Sequence, residues 1–154
     1  VFDFPDDKEL VIVSQNGPAE FEKYFEEVKG LMVAPDADFQ NIQSRLFDGM
    51  SDQEIDSYIE KLMATEKVLK TVSVPSDIVN IQKLKIAGLR AGVKMFELVR
   101  DRYSPETESP EFWAELFNKM VAIETSGTLE AQAWNQLGDY LKDTGGWEEI
   151  ADGK

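Results

Sequence analysis

Apolar residues recur along residues 76–103 in two series. Val79, Gln82, Ile86, Leu89, Val93, Phe96, Arg100 and Tyr103 follow one another at alternating steps of three and four. Ile81, Leu84, Gly88, Ala91, Met95 and Leu98 repeat that spacing two residues out of register. At about 100° per residue the two seams lie roughly 160° apart on one helix. One seam can meet the core of its own domain; the other then needs a second layer of helices or a second copy of the chain. The pattern predicts a long central helix and self-association through it, with Ile81, Leu84, Gly88, Ala91, Gly92, Met95 and Leu98 as the interface.

The same periodicity predicts helices on both sides of it. Pro18 opens one, with Phe21, Tyr24, Phe25 and Val28 on a single stripe and Gly30 and Pro35 ending it. Phe39, Ile42, Leu46 and Phe47 mark a short second helix, closed at Asp48-Gly49. Ser51 and Glu54 form a capping box for a third, whose face is Ile55, Tyr58, Ile59, Leu62 and Leu69. Val74-Pro75 breaks the chain, and Ser76 is the expected cap of the long helix. After a loop over 103–110, Ser109 caps the next helix and Pro110 is its first residue. That helix carries a wide apolar face of Phe112, Trp113, Leu116, Phe117, Met120 and Val121. Thr125-Ser126-Gly127-Thr128 is expected to interrupt or bend it. A last helix turns Ala133, Trp134, Leu137 and Leu141 inward and stops at 143–146.

Residues 1–17 differ. Phe2 and Phe4 alternate with Asp3, and Leu10-Val11-Ile12-Val13 is a short, largely β-branched run bounded by charge and by Asn16-Gly17-Pro18. No second strand stands out elsewhere. The arm is expected to form a small hairpin with residues 1–4, to strap the helices, or to pair with another molecule. The fold expected is therefore all-α: a bundle of about six helices around one long central helix, with a short extended or β N-terminal arm (1–17), a helical domain (18–146) and a C-terminal tail (147–154).

Charge changes this picture. The chain has 154 residues and a formal net charge of -14. Residues 76–103 hold six basic and three acidic side chains, so this segment is +3 and the remainder -17. Lys83, Arg90 and Lys94 fall on one narrow stripe, because steps of seven and four return to nearly the same angle. Such a stripe suits an anion, a nucleic-acid backbone or an acidic helix. Pairing with the protein's own acidic helices is the favoured reading, since a phosphate polymer would be repelled by the body as a whole.

Several chemistries are excluded or disfavoured. There is no cysteine and no histidine. Disulfides, thiolate sites, ordinary zinc sites and imidazole acid–base catalysis are thereby removed. Gly88 and Gly92, with Ala87 and Ala91, are small residues four apart and point to a close helix crossing, within the chain or across a dimer. Residues 45–55 resemble the opening of a helix-turn-helix, but the capped helix continues past the expected second turn and the segment is not basic. All-α magnesium-dependent nucleotide pyrophosphohydrolases use clustered carboxylates. Glu22, Glu26 and Glu27, and Glu97 with Asp101, offer such clusters, without that family's paired Glu-x-x-Glu and Glu-x-x-Asp steps. Asp36 and Asp38 fit a helix N-cap better than a calcium loop. Phe112, Trp113, Phe117 and Trp134 suit core or, as a minor option, a pocket.

No apolar run reaches the roughly 20 residues needed to span a bilayer, and the first residues lack the pattern of a secretory signal. Because the chain opens on Val1, it is read as trimmed, processed or a fragment. The expected function is that of a non-enzymatic, acidic, cytoplasmic interaction module. Inhibitor and immunity proteins, assembly chaperones and subunits of larger viral or bacterial assemblies share this profile. No metal or cofactor is expected. The expected partners are a protein with a basic surface and a second copy of the chain, not nucleic acid or membrane. The rival reading is a carboxylate–magnesium hydrolase acting on nucleotides.

Overall fold

The structure, a computed structural model, describes residues 2–29, 31, 49–102 and 109–143. Among them are four α-helices: α1 (Pro18–Lys29), α2 (Asp52–Leu69), α3 (Val79–Arg102) and α4 (Pro110–Asp143). Two strands of three residues, β1 (Val11–Val13) and β2 (Ser73–Pro75), and two 3₁₀ turns, Asp7–Glu9 and Ser76–Ile78, complete the order. The all-α class agrees with the hydrophobic periodicity. The expected short helix around Phe39–Phe47 lies outside the described residues, as do Asp36, Asp38, the loop after Arg102 and the tail.

The helix count differs from six for a second reason. Residues 125–128 do not interrupt anything: α4 runs through them as one helix of 34 residues. Ser126 Oγ donates to the Ile123 carbonyl at 2.8 Å, and Thr128 Oγ1 donates to the Glu124 carbonyl at 3.0 Å. The hydroxyls are therefore satisfied by the helix's own backbone rather than competing with it.

The arm finds its partner inside the chain. β1 and β2 pair in parallel, with Val11 opposite Ser73, Ile12 opposite Val74 and Val13 opposite Pro75. Parallel strands require a long crossover, here the chain from α1 through α2. Pro75, which has no N–H to give a ladder, sits at the strand end. The pairing carries the arm to the start of α3. There Asn16 Oδ1 accepts the Asp77 backbone N–H at 2.9 Å, and Asn16 Nδ2 donates to Ser76 Oγ at 2.9 Å. Ser76 does not itself cap α3; it opens the 3₁₀ turn that precedes the helix, and Asn16 caps that turn from the arm. Ser109 behaves as expected, its Oγ accepting the Phe112 N–H at 3.2 Å, and Ser51 Oγ accepts the Glu54 N–H at 3.2 Å.

α3 packs against α2 and α4, and its length divides the core in two. Around its first half, Ile78, Ile81 and Ile86 join Leu10, Phe21, Tyr24, Val28, Leu69, Val74 and Trp134. Around its second half, Met95, Phe96, Leu98 and Val99 join Ile55, Ile59, Phe112 and Leu116. Gln82 is fully buried in the first cluster. It accepts the Tyr24 hydroxyl and donates through Nε2 to the Leu69 carbonyl at 2.6 Å, so a polar group in the apolar seam ties α1, α2 and α3 together.

Candidate functional site

Between the two clusters α3 narrows. A Cβ added to Gly88 would lie 2.7 Å from Ser126 Oγ on α4, and one added to Gly92 would lie 3.1 Å from Leu62 Cδ1 on α2. The close crossings predicted from these glycines are made within the chain, one with α4 and one with α2. Of the other residues expected at an interface, Ile81, Met95 and Leu98 are buried, and Leu84 and Ala91 are half-buried. Among the described residues, every member of the two seams of α3 is buried or half-buried.

The waist also gathers charge. Arg90 Nε lies 3.0 Å from Glu66 Oε1, Nη2 lies 3.0 Å from Glu9 Oε1, and Nη1 lies 3.3 Å from Asp3 Oδ1. Lys70 Nζ bridges Glu66 at 2.8 Å and Glu9 at 2.9 Å. Lys83 Nζ reaches Asp7 at 2.5 Å. The hydrogen bond from Lys70, the Asp6 N–H and the charge of Arg90 hold the Glu9 carboxyl down at about 2, against an ordinary value of 4.5. At Glu66 burial pushes the carboxyl up, but the hydrogen bonds from Arg90 and Lys70 outweigh it and the net shift is downward. Of the predicted basic stripe, Lys83 and Arg90 are thus engaged by the acidic arm and α2, while Lys94 is exposed. Two further ion pairs brace α3: Lys85 with Glu130 at 2.8 Å, nearly buried, and Arg100 with Asp56 at 2.7 Å.

The carboxylate clusters weighed for catalysis do not converge. Glu22, Glu26 and Glu27 are exposed on α1, with Glu26 2.6 Å from Lys29. Asp101 is drawn to Arg100 at 2.7 Å, which holds its carboxyl below the ordinary value. Among the described residues no group of three or more His, Cys, Asp or Glu side chains is placed to hold a metal ion, and no helix is long and apolar enough to cross a membrane. α2 runs unbroken to Leu69, without the turn that a recognition helix would need after residues 45–55.

The four aromatic residues considered as a pocket are divided. Trp134 stacks on Tyr24 and meets Phe25 edge-on in the first cluster, while Phe112 and Trp113 pack edge-to-face in the second. Phe117 belongs to neither: 64% of its surface is exposed, the most of any large apolar residue described. Val121 and Leu129 are also exposed. At about 100° per residue, Phe117, Val121, Thr125, Thr128, Leu129 and Gln132 fall within an arc of roughly 120°, and every one is exposed. This face of α4 carries no charged side chain. Glu115 and Glu124 flank it, and Glu111 and Asp139 stand at its ends. Sequence periodicity assigned Phe117 and Val121 to the core because they adjoin Leu116 and Met120. The available signal was the run of uncharged polar residues interleaved with them, which a buried face would not tolerate.

No protein-family model, no curated protein and no solved structure matches this chain.

Proposed function

We propose that this chain is a non-enzymatic, acidic α-helical protein-interaction module of the cytoplasm. It would resemble in role the inhibitor and immunity proteins, assembly chaperones and subunits of larger viral or bacterial assemblies, associating with itself and with a partner of basic surface. One observation carries the reading: the excess positive charge of α3 is largely turned inward. Lys83, Lys85, Arg90 and Arg100 are drawn to Asp7, Glu130, Glu66 with Glu9, and Asp56. Exposed carboxylates such as Glu22 and Glu27 on α1, and Asp52 and Glu60 on α2, remain as the outward charge. A surface of that kind attracts and orients a cationic partner more than it performs chemistry.

The test is affinity capture from the native host, repeated across a salt series with wild type and a Glu22→Lys/Glu27→Lys variant. The expected result is a basic protein retained at about 0.05 M salt and released by about 0.5 M, with capture lost in the variant. Magnesium-dependent turnover of nucleoside triphosphates by the purified chain, abolished by the same substitutions, would overturn the reading.

A further inference from the structure

We propose that residues 2–16 are an exchangeable arm: in a dimer of this chain, the arm of each copy leaves its own body and seats on the β2 and α3 surface of the other. The proposal rests on the reading of the chain as a self-associating module and names the segment that joins the copies. The bonds that hold the arm run to residues 70–90. β1 lies in register with Ser73–Pro75. Glu9 pairs with Lys70 and Arg90, Asp7 pairs with Lys83, and Asn16 bonds Ser76 and Asp77. Between the arm and this surface the chain passes through α1 and α2. None of these contacts uses that connection, so the arm of a second copy makes the same ones.

The surface selects its occupant by spacing. It requires carboxylates that reach Lys70, Lys83 and Arg90, then a β-branched triplet in register with Ser73–Pro75, then a cap for the 3₁₀ turn that follows. The arm meets all three requirements in one run of chain. An undocked arm strips Lys83 of its carboxylate and removes Leu10 from the cluster it shares with Val74. It therefore seats again, in its own chain or in another.

The junction with α1 decides between the two. Asn16 is already fastened and α1 starts at Pro18, so Gly17 alone is the hinge. Its φ is +138°, a conformation that glycine adopts freely and other residues do not. In the exchanged dimer the arm runs on to another body, and Gly17 is released to an ordinary extended conformation. A short hinge bent in this way is the kind from which exchange starts. Glycine keeps the bent form accessible, and a tethered arm is present at an effective concentration of about a millimolar. The closed monomer therefore dominates in dilute solution, and exchange grows with concentration.

Val11 and Ser73 stand opposite one another in the ladder and both are exposed. The chain has no cysteine, so a Val11→Cys chain mixed with a Ser73→Cys chain can form that pair only between copies. Mixed at about 500 µM and oxidised, the two should give a linked species of twice 17.4 kDa, at least about tenfold more than either variant alone. The double variant Val11→Cys/Ser73→Cys, oxidised at about 10 µM, should close within one chain and then stay monomeric when concentrated. Gly17→Ala penalises the bent hinge of the monomer only. Sedimentation equilibrium should give its dimer a dissociation constant at least about tenfold below that of wild type. A wild type that stays monomeric up to about 500 µM, with no mixed link, overturns both the exchange and the self-association it rests on. A dimer that forms without the mixed link, or one indifferent to Gly17→Ala, overturns the exchange alone. A double variant that fails to close removes the pairing on which exchange depends, and overturns it as well.

Discussion

Gly88 and Ser126 meet where α3 crosses α4, so closely that a methyl group on the glycine would lie 2.7 Å from the serine oxygen. Ser126 is buried and its hydroxyl is tied to the Ile123 carbonyl, which leaves it little room to withdraw. Gly88→Ala should therefore destabilise the protein by about 1–3 kcal/mol, despite alanine's better helix propensity. Ser126→Ala in the same chain should return most of that loss, because the nearest remaining atom, Ser126 Cβ, lies at 3.6 Å. Denaturant titration of the two single variants and the double variant measures the coupling.

Gly127 is the contrasting case. It lies one residue further along the same helix, and nothing stands within 4 Å of the Cβ it lacks. Gly127→Ala should raise stability by about 0.5–1 kcal/mol through propensity alone. A rise in melting temperature for this variant, beside a fall for Gly88→Ala, would separate packing from backbone entropy within one helix crossing.

The arm should respond to acid. Glu9 titrates at about 2 in the folded protein against an ordinary 4.5, and Glu66 is also shifted downward. A carboxylate whose folded value is depressed stabilises the fold above its unfolded value and loses that contribution as pH falls through the folded one. Stability should therefore decline between pH 4.5 and about 2 as Glu9 is protonated and its hold on Lys70 and Arg90 is released. In Glu9→Gln the same window should be flatter when unfolding is followed by tryptophan fluorescence at successive pH values.

Lys83 and Arg90 should act as fasteners for the arm. Replacing both with Gln removes partners of Asp7, Asp3, Glu9 and Glu66, and should cost about 1–2 kcal/mol, little of it from the exposed Asp3 and Asp7 contacts. Tryptic cleavage after Lys8 should accelerate in this variant. Lys94→Gln, on the exposed member of the stripe, should leave both stability and cleavage unchanged. Duplex DNA should bind neither wild type nor variants at physiological salt; binding lost on substitution would return the stripe to the role of a phosphate-docking strip.

What the sequence made readable was what depends on local periodicity and caps. The helical starts at Pro18, Ser51 and Ser109 follow from side chains within a turn of the structure they set. Long-range geometry was less accessible. Ser73–Pro75 is too short and too close to a proline to announce itself as a strand, and it becomes one only because the arm lies alongside. Asn16 read as a turn residue, yet it caps a 3₁₀ turn 61 positions away. Thr125–Thr128 has the composition of a break, but the hydroxyls bond to carbonyls of the preceding turn, and packing against Gly88 keeps Ser126 in the helix. The Gly88 and Gly92 spacing did point to close crossings, without distinguishing a neighbour in the chain from one in a second copy. Phe117 and Val121 show the limit of periodicity, since a helix apolar over more than half its circumference does not say which side faces inward.

The parallel pairing of β1 with β2 also orders the folding of the chain. Contacts between α3 and the helices flanking it join segments close in sequence, and these form early. The arm must wait, since its strand partner, the 3₁₀ turn it caps and its cationic anchors all lie some 60 or more positions downstream. Such non-local closures are the slow ones. Docking of residues 2–16 should accordingly be the last step of folding, and its reversal the first opening. Amide hydrogens of Val11–Val13 should exchange through a local detachment well below the free energy of global unfolding, while those of α3 require the whole molecule to come apart.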